Sequence, residues 1–568
     1  METIKNNQSR AFFTENLNIE DVFIKEDCKE EHQMIAEMTK SFVEQDLLPL
    51  LSEIEQQNFS FVKQMIEKCG ELGLLGIDIP EKYGGMELDK ISAIIITEEM
   101  AKSRSFSITY SGQVGIGSLP IVYYGSEEQK KRYLPSVATG QMIGAYALTE
   151  PNAGTDAMGI KTVARLSEDR THYILDGEKQ FITNASFADF LIVYAKIDGE
   201  HFTAFIVEKD SEGLTIGPEE RKMGLTGSST TSIVLNDVKV PVENILGEIG
   251  KGYLIAFNIL NIGRHKLSAH CLGIAKRALE LAIYHVKERK QFNRYLSEFN
   301  LTKEKIAIMA AKIFAMESMI YRTAGEFEKA AVFAKENGIP FKNMLKSFAL
   351  ECSINKVFSS ESQHHIVDEA LQLHGGYGFI NDYEIETHYR DSRINRIFEG
   401  TNEINRMVIA NTVLKHIEDF IINPNMDAQS IQLTFEWDLL HLLKDFFYHF
   451  TLDVKKSYSN LTEEQELLAK IADFAVLTYA IESCLIRVEK LLKKQSNENI
   501  KYKNQLMKVF IGEAFIEYIS KVFTLPINSS KLEGKLSKIL LKASQLQNEG
   551  IIVKRQISSY IIEKGKYE

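Results

Sequence analysis

The fold is decided by four short runs of sequence: THYILDGEKQFITNA (171–185), DFLIVYAKIDG (189–199), HFTAFIVEKD (201–210) and TTSIVLNDVKVP (230–241). Each run is rich in β-branched and aromatic residues, and turns containing Gly, Asp or Asn separate them. This pattern is typical of strands. We therefore predict an antiparallel β module in the middle of the chain.

The sequence on both sides of this module has helical spacing. Ile35, Met38 and Phe42 repeat at intervals of three and four before it, and long amphipathic stretches follow it at 253–335 and 342–375. Seven of the ten prolines lie before residue 242, which leaves the second half free to be nearly all helix. The predicted class is α+β, with an N-terminal helical domain (1–145), a middle antiparallel β domain (146–250), a helical-bundle domain (251–420) and a C-terminal helical extension domain (421–568). The turn-rich segment INPNMDAQS (422–430) is predicted to be the linker that precedes the extension.

Composition and charge exclude several classes of protein. The chain has 568 residues, of which 44% are apolar and 25% are charged, as in a well-packed protein rather than a disordered one. Its net charge of −12 argues against nucleic-acid binding over the whole surface. Residues 485–568 differ, since 16 Lys and Arg face 8 Glu and no Asp there, a net charge of +8 on an acidic body. Five scattered cysteines without CxxC spacing indicate reduced thiols and no metal site.

The location of the protein is predicted from what the sequence lacks. It has no apolar stretch of 18 residues, no apolar signal-peptide core and no Arg-rich transit pattern at its start. We expect a cytoplasmic, bacterial-type protein, with peripheral membrane contact as one possibility. The mitochondrial matrix is the alternative if a transit peptide has been removed.

Two clusters of candidate functional residues flank the first strands. YALTEPNAGTD (146–156) offers the hydroxyls of Thr149 and Thr155, and its glycine allows a ligand to approach the backbone closely. FITN (181–184) ends a predicted strand with an aromatic ring and a hydroxyl. Taken alone, the first cluster is more simply a plain loop and the second a core aromatic.

Two more clusters lie in the helical second half. QLHGGYGF (372–379) places three glycines after a long helix, in a turn suited to presenting backbone N–H groups to a pyrophosphate. In RDSRINRIFEGTNE (390–403), Glu399 lies between Phe398 and Gly400, and a carboxylate in an apolar niche has a raised pKa and can act as a base. Taken alone, these are more simply a glycine turn and a surface glutamate.

Together, the order and spacing of the four clusters, with a β module between two helical ones, resemble the acyl-CoA dehydrogenases. LTEPNAGTD resembles the first signature of that family, and QLHGGYGF followed by FEGTNEINR resembles the second signature and the catalytic-glutamate loop. GEIGKGY (247–253), ILNIGR (259–264) and ERKQFNR (288–294) extend the resemblance, which covers residues from about 30 to 415.

The resemblance implies an FAD-dependent dehydrogenase that converts a fatty acyl-CoA to trans-2-enoyl-CoA in β-oxidation. Glu399 would remove the α-proton of the thioester while the β-hydrogen passes as hydride to flavin N5, and an electron-transfer flavoprotein would take the electrons. Gly263 occupies the place where isovaleryl-type members carry the base, which leaves Glu399 as the candidate.

The resemblance also assigns binding residues by position. The residues that it places in contact with FAD are Tyr146, Leu148, Thr149, Thr155, Phe181, Ile182, Thr183, Arg289, Gln291, Phe292, Gln372, Gly375, Gly376, Thr401 and Glu403. Six of these would reach the FAD of a neighbouring subunit, namely Arg289, Gln291, Phe292, Gln372, Gly375 and Gly376, which implies a homodimer. Substrate contact is assigned to Thr155, Asn261, Gly263, Arg264, Glu399 and Gly400.

Two departures from the family pattern stand out. The stretch Glu384–Thr387 lacks a proline and an arginine that many members have, and Asn293 replaces the usual glycine after Phe292. We expect both to adjust local contacts without abolishing flavin binding.

The C-terminal extension makes the chain most similar to the very-long-chain acyl-CoA dehydrogenases, in which it helps to hold the enzyme on a membrane. Four lysines recur here at helical spacing beside an apolar side, a pattern that fits an anionic lipid surface but more simply a solvated face packed on its own domain; they are Lys531, Lys535, Lys538 and Lys542. Gly115, Gly117 and Gly263 would leave room for a long acyl chain, or are plain packing glycines.

Three rival functions share the same fold. A DNA-binding alkylation-response flavoprotein is suggested by the basic C-terminus, although the intact Glu399 loop and the net charge of −12 make nucleic acid an unlikely partner. An assembly factor for a respiratory complex would keep the same motifs. An acyl-CoA oxidase would pass its electrons to O₂.

Overall fold

The structure, a computed structural model, describes residues 18–420, 422, 431–494, 498–525, 530–545 and 550–567. The chain divides into two compact units. Among the described residues, the sheet unit consists of 29–266 and 331–346, and the bundle unit of 18–28, 267–330 and those from 347 onward. The predicted linker at 422–430 lies outside the described residues, apart from Ile422.

The sheet unit begins with seven helices, as its sequence spacing predicts. They are α1 (Glu30–Phe42), α2 (Leu51–Glu55), α3 (Phe59–Glu71), α4 (Lys90–Met100), α5 (Ser105–Ser111), α6 (Leu119–Tyr124) and α7 (Glu127–Thr139). Local capping fixes several of their ends. Ser126 and Gln129 cap α7 reciprocally, and Gly140 ends it with a left-handed φ of 80°.

An eight-stranded sheet follows, at the place that the four β-rich runs predict. Its strands are β1 (Gly144–Ala147), β2 (Val163–Leu166), β3 (His172–Thr183), β4 (Phe190–Ile197), β5 (His201–Glu208), β6 (Leu214–Glu219), β7 (Thr230–Pro241) and β8 (Ile245–Leu246). Their order is β6-β7-β3-β2-β4-β5-β8, with β1 also beside β4. Most pairings are antiparallel as predicted, but β4 pairs in parallel with both β1 and β2.

The remaining elements are almost all helical. They are α8 (Gly252–Glu288), the two-stranded hairpin of β9 (Lys290–Gln291) and β10 (Arg294–Tyr295), α9 (Asn300–Glu336), α10 (Ala349–His374), α11 (Glu384–Ser392), α12 (Asn402–His416), α13 (Thr434–Ser457), α14 (Gln465–Lys494), α15 (Glu498–Val522), α16 (Ser530–Ala543) and α17 (Gly550–Lys564). The predicted α+β class, with a helical extension at the C-terminus, is confirmed.

The helices α13 to α17 form the extension and have an aromatic core of their own. Phe474 packs at 4.4 Å from the ring centre of Tyr518, and the Tyr518 hydroxyl donates to the Leu443 carbonyl at 2.9 Å. Lys535 pairs with Asp445 of α13, and Lys542 pairs with Asp438 of the same helix at 3.1 Å. Two of the four lysines of the predicted basic stripe therefore pack on their own domain. In the described ranges, none of the helices combines the length and apolar character needed to cross a membrane.

A buried ion cluster ties the start of the bundle unit to α14. The Arg487 guanidinium donates to Glu26 Oε1 at 2.8 Å and to Glu317 Oε2 at 2.6 Å, and Lys503 reaches Glu26 at 2.7 Å. Burial by itself would raise the pKa of Glu26, but attraction to Arg487 and Lys503 and their hydrogen bonds lower it to about 2. The Glu26 carboxylate thus stabilises the fold in its charged form.

Replacing Glu26 by glutamine is expected to destabilise the folded protein by about 3 kcal/mol at neutral pH, the value that this pKa difference implies. The folded pKa lies below the unfolded value of 4.5, so the stabilisation is complete above pH 4.5 and is lost as the pH falls towards 2. Chemical unfolding of both proteins at pH 7 and pH 3 checks this. The difference in stability should be smaller at pH 3.

Glu418→Gln is a matched control, because Glu418 is largely exposed and pairs with Lys455 at 3.0 Å on the surface of the same unit. Exposed pairs contribute about 0–1 kcal/mol. A Glu26→Gln variant no less stable than Glu418→Gln, or equally destabilised at both pH values, would contradict this account.

Candidate functional site

Glu399 lies in a loop with unusual backbone geometry. Its φ is +58° and that of Gly400 is +81°, so two consecutive residues adopt the left-handed region just before α12 begins at Asn402. A residue with a side chain adopts this conformation at a cost of order 1–3 kcal/mol, and it persists only where the surroundings impose it. Strain of this kind concentrates at functional sites.

Two buried side chains hold the loop in this conformation. Asn405 Nδ2 donates to the carbonyls of Glu399, Gly400 and Thr401, at 3.5, 2.8 and 3.1 Å. Lys356 Nζ, fully buried on α10, donates to the Gly400 carbonyl at 2.8 Å. These hydrogen bonds to its carbonyl groups therefore fix the backbone that carries Glu399.

Phe181 occupies a bulge near the end of β3. The pairing of β3 with β7 shifts register between Lys179 and Ile182, and Phe181 has a φ of +61°. The inserted residue reverses the side on which the following side chains lie. The Phe181 ring is 57% exposed while Lys179 and Ile182 are buried. The simpler prediction, a core aromatic, is therefore wrong for Phe181.

A buried ion pair attaches the loop of residues 148–156 to the same strand. Lys179 Nζ is fully buried and donates to Glu150 Oε1 at 2.8 Å and to the Leu148 carbonyl at 3.2 Å. Burial lowers the pKa of Lys179 to about 8 despite the attraction of Glu150. The Gln180 N–H donates to the Thr149 carbonyl at 2.9 Å. The loop is thus fixed at its first three residues, Leu148, Thr149 and Glu150, and Thr155 further along it is exposed.

The other predicted residues of the sheet unit lie on β1, β3 and α8. Tyr146 is buried, and its ring packs edge-on against Tyr194 at 5.1 Å between centres. Thr183 is the last residue of β3 and is half-buried. On α8, Arg264 Nη1 donates to Asn261 Oδ1 at 3.1 Å and both side chains are buried, so this part of the helix presents a prearranged polar pair.

Two of the glycines that are expected to leave room for an acyl chain, Gly115 and Gly117, have different surroundings. A Cβ on Gly117 would lie 2.7 Å from the Gly144 carbonyl oxygen, so Gly117 permits close packing of two backbones. A Cβ on Gly115 would meet nothing within 4 Å. Gly115 therefore borders open space, and Gly117 is a packing glycine.

The glycine turn of the bundle unit follows α10 directly, as predicted. Gly375 ends α10 with a φ of +59°, and added Cβ atoms on Gly375 and Gly376 would meet nothing within 4 Å. The Gly375 N–H itself donates to the Gln372 carbonyl, so what this turn offers a ligand is close approach to an uncrowded backbone. Gln372, one turn earlier, is also exposed.

The hairpin of β9 and β10 explains one departure from the family pattern. Its two connecting residues, Phe292 and Asn293, have φ values of +52° and +60°. A two-residue turn with both φ values positive favours Asn or Gly, so Asn293 suits the position that is usually glycine. Phe292 is 88% exposed, and Arg289 and Gln291 beside it are exposed as well.

The second departure has a structural role of its own. Glu384, at the start of α11, accepts from Arg277 at 2.6 and 2.9 Å and contacts His388 at 2.9 Å. Burial opposes ionisation of Glu384, but the hydrogen bonds of His388 and Arg277 hold its pKa well below the usual range. This pair fastens α11 to α8, ahead of the Glu399 loop.

Each unit thus contains part of the predicted set. The sheet unit holds the residues of β1, β3, the loop that follows β1, and the first half of α8. The bundle unit holds the hairpin, the glycine turn and the loop of Glu399, with Thr401 capping α12 through the Ile404 N–H at 3.3 Å and Glu403 exposed beside it. Sequence reasoning missed three supporting residues: Lys179, Lys356 and Asn405.

Comparison with known proteins identifies the class. Family models described as the N-terminal, middle and C-terminal domains of acyl-CoA dehydrogenases match residues 29–141, 145–238 and 250–414. A further model, also described as an acyl-CoA dehydrogenase C-terminal domain, matches residues 447–539 in the extension. The chain belongs to the acyl-CoA dehydrogenase family of oxidoreductases and carries an additional C-terminal domain.

Similarity to known proteins extends over nearly the whole chain. A probable acyl-CoA dehydrogenase of Bacillus subtilis is 44% identical over 98% of both chains. A crystal structure of an acyl-CoA dehydrogenase complexed with FAD from Bacillus anthracis has a TM-score of 0.92 and 45% identity, and the match covers 99% of this chain and 100% of that one. A caffeyl-CoA reductase-Etf complex subunit of Acetobacterium woodii is 38% identical over 68% of this chain and 99% of its own length.

Proposed function

We propose that the protein is an FAD-dependent acyl-CoA dehydrogenase of fatty-acid β-oxidation, which converts a long-chain acyl-CoA to the trans-2-enoyl-CoA. The observation that carries this proposal is the loop of Glu399. A carboxylate is mounted there on a strained left-handed backbone, which Asn405 and Lys356 fix through its carbonyl groups. A base that must reach one C–H bond needs such rigid support.

Glu399 acts as the base that removes the α-proton of the thioester. The proton passes to its carboxylate, and the backbone N–H of Glu399 donates to the thioester oxygen, where negative charge develops. Asn261 and Arg264 on α8 contact the acyl-CoA, together with Thr155 and Gly400. FAD, when bound, supplies the acceptor for the β-hydrogen, which leaves as hydride.

The residues present fit FAD. The exposed Phe181 ring offers a flat surface for the isoalloxazine. We assign further contacts with that ring system to Tyr146, Leu148, Thr149, Thr155, Ile182 and Thr183. Gly375 and Gly376, with no atom near an added Cβ, suit the close approach of a pyrophosphate. Thr401 and Glu403 contribute further FAD contacts next to the base.

The same proposal extends to a homodimer. Phe292 is 88% exposed at the tip of the hairpin, and the exposed residues Arg289 and Gln291 lie beside it in the sequence. We assign these residues, with Gln372, Gly375 and Gly376, to the FAD of the second subunit. An electron-transfer flavoprotein is the proposed acceptor, in keeping with the Etf complex in which the Acetobacterium woodii relative is named.

The preference for long chains is supported by the extension and by the open space at Gly115. Anaerobic titration of the purified protein with saturated acyl-CoAs, from butyryl-CoA to very long chains, tests both activity and chain length. We expect the visible flavin absorbance to bleach, most completely with long chains. If no acyl-CoA bleaches the flavin, the proposed activity is wrong, and if butyryl-CoA bleaches it best, the chain-length assignment is wrong.

One second function has an observation in its favour, because the Acetobacterium woodii relative is named as a reductase. An enoyl-CoA reductase would run the same hydrogen transfer in the opposite direction. Steady-state assays in both directions, with an electron-transfer flavoprotein as carrier, separate the two functions. Release of peroxide without any added acceptor would instead indicate an oxidase.

A further inference from the structure

The helix that follows Glu399 is tied into a network of charged and amide groups. Asn402, the first residue of α12, donates from Nδ2 to Ser360 Oγ at 3.1 Å and to Glu361 Oε1 at 2.9 Å. Arg406, one turn further along α12, donates to both oxygens of Glu361, at 2.8 and 2.9 Å. The first turn of α12 is therefore fixed to α10 through one carboxylate.

The network continues into the extension. Arg406 Nε donates to Asp473 Oδ1 on α14 at 2.7 Å, and the other oxygen of Asp473 accepts from Lys521 Nζ on α15 at 2.8 Å. Arg406 and Asp473 are mostly buried, with side-chain exposures of 16% and 12%. A guanidinium holds its donors in a rigid plane, so partners on two sides define the direction in which it points.

We propose that Asp473 of the extension is a positioning residue for Glu399, acting through Arg406, Glu361 and Asn402. This inference rests on the proposed function, in which Glu399 is the base. The Glu399 loop leads directly into α12, and its left-handed backbone persists only while both of its ends are held. Asp473 holds the far end by binding Arg406 at Nε, while Glu361 binds its two terminal nitrogens.

The additional C-terminal domain would then help to position the catalytic base, besides covering the surface of the helices on which it packs. Other ion pairs attach the extension without contacting α12. Lys554 of α17 reaches Glu304 of α9 at 2.9 Å, and Glu482 of α14 accepts from Arg322 of α9 at 2.9 Å. If the Asp473–Arg406 pair only attached the extension, breaking it would affect the reaction no more than breaking these other pairs. If Asp473 positions Glu399, breaking its pair would slow the reaction and breaking the others would not.

The test compares Asp473→Asn with Glu304→Gln in the full FAD-loaded protein. Stopped-flow measurement of flavin bleaching by a long-chain acyl-CoA, over a range of pH, gives the limiting rate and the substrate concentration at half-saturation. We expect the limiting rate of Asp473→Asn to fall about 10-fold with half-saturation unchanged, since small displacements of a reacting group are costly. We also expect its pH profile to shift, and Asp473→Glu to recover most of the rate. Glu304→Gln should keep the wild-type rate and profile.

The outcomes separate the two proposals. If the wild-type flavin bleaches and Asp473→Asn behaves as Glu304→Gln does, the positioning role is overturned while the proposed function stands. If acyl-CoA does not bleach the wild-type flavin, both are overturned. Should Asp473→Asn fail to fold, Arg406→Lys replaces it, because lysine keeps the positive charge but cannot bind Glu361 through two nitrogens and Asp473 through a third. It should lower the limiting rate about 3-fold, and an unchanged rate would overturn the positioning role.

Discussion

Replacing Glu399 by glutamine is expected to slow the bleaching of the bound flavin by acyl-CoA by roughly 10²-fold or more. Glutamine has nearly the same shape as glutamate but cannot accept the α-proton. The backbone strain of the loop and its support by Asn405 and Lys356 act on main-chain carbonyls, so both should survive the substitution. The variant should therefore remain yellow and bind acyl-CoA with near-normal affinity.

Rapid-mixing kinetics with a saturating acyl-CoA measure the effect, and a binding titration of the oxidised variant measures affinity. Glu418→Gln removes the same charge at an exposed site just after the end of α12 and should bleach at the wild-type rate. Near-normal bleaching by Glu399→Gln would remove Glu399 from the reaction. Loss of both flavin and acyl-CoA binding would show instead that Glu399 supports the fold.

Sequence patterns located most elements of the fold because those elements are set locally. The β-branched and aromatic residues of 172–183 favour a strand, which is β3, and the glycines from Gly375 onward end α10. The parallel pairings of β4 were not predictable, since the partner of a strand depends on contacts distant in sequence. The bulge at Phe181 has the same origin, because a register shift belongs to a pair of strands and not to one of them.

The residues of the candidate site likewise fall into those that the sequence predicts and those that it does not. Glu399 and the glycine turn are predicted because the order and spacing of several motifs together resemble the acyl-CoA dehydrogenases, whereas either motif alone is more simply a surface glutamate or a plain turn. Lys179 was missed because a lysine within an alternating strand is normally on the solvent side, and its partner Glu150 lies 29 residues away. Asp473 lies 67 residues from Arg406, in another helix, and nothing in either local sequence joins them. Supporting contacts of this kind depend on tertiary packing.

Lys179→Met is expected to destabilise the folded protein by about 3–5 kcal/mol and to release most of its FAD, because it removes one member of a buried ion pair. The Glu150 carboxylate would stay buried with the Lys161 N–H at 2.6 Å and two donors of Thr162 at 2.5 and 3.0 Å, but without a counter-ion. The loop would also lose the bond from Lys179 to the Leu148 carbonyl, beside the proposed isoalloxazine contacts. Chemical unfolding and the ratio of flavin to protein absorbance after gel filtration measure the two effects.

The double variant Lys179→Met/Glu150→Gln separates the effect of the uncompensated Glu150 charge from the effect of losing the attachment of the loop. Removing the second charge should restore part of the lost stability, since a neutral amide costs less to bury than a carboxylate without a counter-ion. The recovery is partial because Nε2 of the glutamine would face the Lys161 N–H, which is also a donor. FAD retention should stay low, because the loop still lacks its attachment at Leu148. A single variant that keeps wild-type stability and full flavin content would show that Lys179 neither balances Glu150 nor shapes the cofactor loop. Full recovery of flavin in the double variant would assign the whole effect to the uncompensated charge.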